Sequence, residues 1–213
     1  MDGTVVASAL EGINRYSGNA KIQRLVYLLD RLAEISSKGT GVIDADTGTS
    51  ALSETIQSAR VELQSTLELQ GNTYVTNRYP VDSTAASSSA AWRTQTSQQN
   101  QNTREQLQNR VQMANAQLHK DAIRNSHVQL AEFEASTGNL NQAWNILLRA
   151  KDYCTSRTQT VQILVLLLET AVALHEWSSV SEFASKLSHF DDWHASICQG
   201  LVSLYQKNYE HAG

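Results

Sequence analysis

"TGNLNQAWNILLRAKDYCTSRTQTVQILVLLLETAVALHEWSSVSEFASKL", residues 137–187, contains three apolar patterns separated by two short polar breaks. In the first, Ala143, Leu147, Ala150 and Cys154 recur at 4-3-4 spacing, which is one face of a helix. The second, 161–174, is apolar nearly all round, so it predicts an inner helix with neighbours on several sides. The third, from Trp177, is its outer partner. Gly138 and Asn139 are suited to stop one helix and cap the next, and Thr155 and Ser156 to turn the chain and cap the inner helix.

The turns recur. "TGNLNQAW", "LHEWSSVSEF" and "YQKNYEHAG" place Ala143, Val180 and Ala212 in the same slot, at steps of 37 and 32 residues. These steps bracket the roughly 34-residue period of tetratricopeptide pairs. A small residue there lets paired helices approach closely. Two helices alone cannot bury their apolar faces, so successive pairs stack. The expected fold is all-α, a right-handed α-solenoid of degenerate tetratricopeptide-like helical pairs over residues 104–213.

Upstream, 104–136 reads as one helix of about 50 Å. Its stripe is Leu107, Val111, Ala114, Leu118 and Ala122, then Ile123, Leu130 and Phe133. Residues 81–103 are of low complexity: from Ser83 to Thr103 every residue but Trp92 and Arg93 is Ser, Thr, Ala, Gln or Asn. Such composition buries little apolar surface, so a disordered or poorly packed insertion is the main expectation. The competing reading extends the next helix backwards. Residues 1–80 are expected to form N-terminal helices. One has a face of Ile22, Leu25, Val26, Leu28, Leu29, Leu32 and Ile35, and a Gly/Ser/Asp loop follows it. A second, over 51–69, has a stripe of Leu52, Ile56, Ala59, Leu63 and Leu67, and Gly71 and Asn72 are expected to cap its end.

The chain has 213 residues, a formal net charge of −4, two cysteines and one proline. A scarcity of proline fits helices. The acidic balance argues against bulk nucleic-acid binding. The first residues lack a basic signal-peptide region, and the longest apolar run is too short for a bilayer, so no membrane role is expected. Reduced cysteines and a location in the cytoplasm and nucleus follow as expectations.

Cys154 lies on an apolar face, where a free cysteine behaves as a small hydrophobe. A nucleophile would need a local base, and no histidine is near it in sequence. His189, Asp191, Asp192, His194 and Cys198 are the nearest approach to a metal cluster, and a solvated helix start explains them better. No phosphate-binding glycine loop occurs. No catalytic residue, cofactor, metal or small-molecule substrate is therefore expected. Arg149, Lys151 and Arg157 form a candidate positive patch near a repeat turn for binding a protein partner.

Several stretches carry a resemblance. Lys120, Ile123 and Arg124, the turn Gly138, Asn139 and Leu140, the segment "RAKDYCT" at 149–155, Trp177, Ser178 and Val180, and "RYSGNAKIQRL" at 15–25 resemble the signalosome first-subunit family. Its paralogue is the seventh subunit of the proteasome lid. The resemblance covers 15–32 and about 106–213. It implies a non-catalytic scaffold whose partners are other signalosome subunits and cullin-RING ligases. Another subunit removes the ubiquitin-like modifier from those ligases. The family continues into a winged-helix PCI module, and this chain ends at Gly213, in mid-repeat, so it is expected to be a fragment.

Overall fold

The computed structural model describes residues 8–9, 11–16, 18–38, 45–65, 69–79, 83–190 and 193–207. Among these every regular element is a helix: α1 (Gly18–Lys38), α2 (Ala45–Ser65), α3 (Leu69–Arg78), α4 (Ser83–Gln117), α5 (Lys120–Ser136), α6 (Leu140–Lys151), α7 (Arg157–Leu174), α8 (Trp177–Ser188) and α9 (Trp193–Tyr205). The chain divides into two units, 1–101 with 136–138, and 102–135 with 139–213. The division falls within α4.

In the first unit α1 packs on α2, and α2 on α3. The expected face of α1 is the one it buries, with Ile22, Leu25, Leu29 and Leu32 inside. Ala59 and Leu63 of α2 and Val75 of α3 meet that face. Lys21 and Glu62 join α1 to α2 at 2.7 Å. Asp30 accepts hydrogen bonds from the Tyr79 hydroxyl at 2.8 Å and the Tyr74 hydroxyl at 3.1 Å.

Three readings of the first 117 residues need correction. α2 begins at Ala45, inside the stretch read as a loop. Gly71 and Asn72 cap nothing, because they lie within α3. Burial of Val75 and Tyr79 at the end of that helix outweighs the low helix propensity of the pair. The segment 81–103 is not a disordered insertion: from Ser83 it is the first half of the 35-residue α4. Neither Gly nor Pro occurs between Pro80 and Gly138, and Ala, Gln and Arg favour helix even where little is buried. Among the described side chains of that half, Thr96 and Asn100 are buried. The competing reading, a backward extension of the next helix, describes it.

The second unit is a helical-repeat array. α6 packs on α7, α7 on α8 and α8 on α9. Its core joins Ala131 of α5 and Ala143, Leu147 and Ala150 of α6 to Leu164, Leu167, Leu168 and Ala171 of α7. Val180, Phe183, Ala184 and Leu187 of α8 and Ala195, Cys198 and Val202 of α9 complete it. Ala143 and Val180, predicted to sit at close approaches, are fully buried, and Ala212 lies outside the described residues. α7 is long and apolar enough, by length and composition, to cross a membrane. Here it is the central helix of the array, with Ile163, Leu164, Leu167 and Leu168 buried against its neighbours.

The single helix expected over 104–136 is two helices. Leu118 adopts φ 55°, the left-handed region, and the chain turns there. Leu118, expected in the apolar stripe, is 83% exposed. The slip in that stripe from Ala122 to Ile123 marks the change of direction. Below it α5 buries Ile123, His127, Leu130, Ala131 and Glu134.

Candidate functional site

The turns of the array are built locally. Gly138 takes φ 85°, which a side chain would resist. Asn139 precedes α6 without a side-chain cap. Its amide instead donates to Glu134 Oε2 at 2.8 Å, and its backbone N–H to the Glu134 carbonyl at 2.8 Å. At the next turn Ser156 and Gln159 form the reciprocal capping box of α7. Gln159 also donates to Asp121 Oδ1 at 2.8 Å, which ties the first turn of α7 to the first turn of α5.

That bond sets a register. Asp121 and Gln159 are 38 positions apart, close to the 37-residue step from Ala143 to Val180. The same offset relates Arg124 to Gln162 and Val128 to Leu166, and Glu132 and Glu169 follow them along α5 and α7. These residues line a groove of ≈ 470 Å³, with Asn125 beside Arg124 and Val161 and Val165 in the floor. His194, from the first turn of α9, also lines it, and its ring stacks on Trp193 at 3.7 Å.

The groove has electrical polarity. Arg124 Nη2 donates to Asn125 Oδ1 at 2.7 Å, while its Nε is buried with no hydrogen-bond partner. Valines and a leucine follow. Glu132 and Glu169 lie further along, both exposed, and neither has an ion pair or hydrogen bond among the described residues. Sequence reasoning missed this arrangement, because the cations it singled out were Arg149, Lys151 and Arg157. The overlooked signal is Arg124, Val128 and Glu132 at four-residue steps on α5.

The predicted patch is arranged differently. Arg149 and Lys151 fall in the last turn of α6. Arg157 opens α7 and sets its guanidinium 5.1 Å from the Phe190 ring centroid. Among the described residues no shared contact partner joins the three.

Cys154 packs against the core of the array and donates weakly to the Ala150 carbonyl at 3.9 Å. Burial pushes its thiol up, against an opposing pull from the Arg124 guanidinium. The neighbouring Tyr153 stacks on buried His127 at 5.8 Å, whose Nδ1 lies 2.8 Å from the Ile123 carbonyl. Burial also raises the Cys198 thiol, and Glu169 adds to the shift. Among the described residues no three His, Cys, Asp or Glu side chains are grouped to hold a metal ion. Asp191 and Asp192 lie outside the described residues.

Stacked helical pairs with a groove along α5 and α7 define a helical-repeat protein. The family model described as 26S proteasome subunit RPN7 matches residues 89–213. With more than half of its length so matched, the chain belongs to the RPN7 family. It is also similar to COP9 signalosome complex subunit 1b of Drosophila melanogaster, 30% identical over 106 residues. The match covers 44% of this chain and 20% of that protein, so the chain spans about a fifth of the relative's length.

Proposed function

We propose that this chain serves as a non-catalytic scaffold subunit of the COP9 signalosome. In this reading it positions other subunits and cullin-RING ligases while another subunit removes the ubiquitin-like modifier. The reading places it in the cytoplasm and nucleus. The observation that carries it is the 30% identity to a signalosome subunit over 106 residues. The stacked pairs of the second unit support a positional role, since such arrays offer long surfaces to partners. Arg149, Lys151 and Arg157 are the proposed contact patch. Of the three, Arg149 and Lys151 are the better placed, because Arg157 already covers Phe190.

The test is affinity purification of the tagged protein from its own cells, with bound proteins identified by mass spectrometry. Signalosome subunits and cullins are the expected catch, and Arg149→Glu with Lys151→Glu should reduce it. A second reading, a scaffold of the proteasome lid, is favoured by the description of the matching family. Recovery of lid subunits without signalosome subunits would establish that reading instead.

A further inference from the structure

The groove along α5 and α7 pairs a cationic end with an acidic end across an apolar floor. Arg124 and Glu132 are eight residues apart on one helix, about 12 Å along its axis. On α7, Gln162 and Glu169 span about 10 Å in the same direction. An extended peptide advances about 3.3 Å per residue and shows alternate side chains to the same side. Positions i and i+4 of such a segment are therefore about 13 Å apart on one face, with i+2 midway. The two spacings coincide.

We propose that this groove binds an extended segment of a partner protein bearing an acidic and a basic side chain four residues apart, with an apolar side chain between them. The acidic group meets the guanidinium of Arg124, which lines the groove. The apolar side chain lies on Val128, Val161, Val165 and Leu166. The basic group meets Glu132 and Glu169, two exposed carboxylates that line the groove and have no ion pair or hydrogen bond among the described residues. The exposed Asn125 and Gln162 supply amides at the cationic end for the peptide backbone. Those amides pair with a strand running either way, so the ends of the groove specify the charges and leave chain direction open.

The experiment uses the 213-residue protein and fluorescent, end-blocked synthetic peptides, with binding followed by anisotropy. The mixed probes are Asp-x-Leu-x-Lys and Lys-x-Leu-x-Asp, where x is Ser or Ala. The like-charge probes are Asp-x-Leu-x-Asp and Lys-x-Leu-x-Lys. At least one mixed probe should bind about tenfold more tightly than either like-charge probe, and Arg124→Gln should remove most of that preference. Glu132→Lys with Glu169→Lys should reverse the order and make Asp-x-Leu-x-Asp the best ligand, a gain that an unfolded variant cannot produce. Equal binding of all four probes, no binding at millimolar concentration, or an unchanged order in the doubly reversed variant would overturn the proposal. None of these outcomes depends on which complex the protein enters.

Discussion

Arg104 grips Glu134 with two hydrogen bonds, Nε to Oε1 at 2.6 Å and Nη2 to Oε2 at 3.0 Å. Glu134 is 1% exposed and Arg104 only partly buried. The same carboxylate accepts from the Asn139 amide. One buried charge thus joins α4 to α5 and fixes the turn into α6. The bond to Glu134 holds the guanidinium of Arg104 even more firmly protonated than usual, against the effect of burial. Removing one partner strands the other charge. Glu134→Ala should cost about 3 kcal/mol in urea denaturation, while Arg104→Met with Glu134→Leu should cost much less. A cost for the double variant as large as for the single one would show that the bridge is not the source.

Leu118 holds a left-handed backbone with its side chain in water. Asn tolerates that conformation better, and β-branched residues tolerate it worse. Leu118→Asn should raise stability by about 0.5 kcal/mol and Leu118→Val lower it by about 1 kcal/mol. Equal midpoints for the two in urea would contradict a strained turn.

Tyr79 bears on alkaline stability. Burial, aided by its hydrogen bond to Asp30, pushes its hydroxyl from 10.0 up to about 12. Between these values the unfolded chain loses the proton while the folded chain keeps it. Stability therefore falls as pH rises through that window. Thermal melts from pH 9 to 12 should show a steeper decline for the parent than for Tyr79→Phe, even though the variant loses a hydrogen bond worth about 1 kcal/mol.

Cys154 should react slowly. Its thiol is held above the ordinary range by burial, so little thiolate exists at neutral pH. Alkylation by iodoacetamide at pH 7.5 should be slower than for a free thiol and should speed up on denaturation. Cys154→Ala should cost about 1 kcal/mol or less, as loss of a small packed group. Fast native-state labelling would reopen the nucleophile reading.

The cap of α7 offers a local test. Ser156 accepts the Gln159 N–H, and Gln159 returns the bond to the Ser156 N–H at 3.3 Å. Ser156→Ala should cost about 1 kcal/mol. Gln159→Ala should cost more, because it also breaks the bond to Asp121 that sets the register of the groove. A double-mutant cycle with Asp121→Ala separates the two contributions.

The sequence by itself determined the helices that bury a continuous face: α1 through Leu25 and Leu29, and α6 to α8 through Ala143, Leu167 and Val180. Their apolar spacing is periodic and their turns carry capping chemistry, and both signals are local. The packed state of Cys154 was legible for the same reason, because a residue's helical face follows from its neighbours in sequence. Three features were decided only by the tertiary structure. The first half of α4, up to Thr103, is polar around its circumference, so no stripe announced it as a helix. Gly71 and Asn72 are held in α3 by burial further along the helix. The groove joins Arg124 and Glu132 of α5 to Gln162 and Glu169 of α7, and no periodicity within one helix can report what faces it from another. That pairing rests on a side-chain bond between residues 38 positions apart, Asp121 to Gln159, which exists only once the helices have stacked.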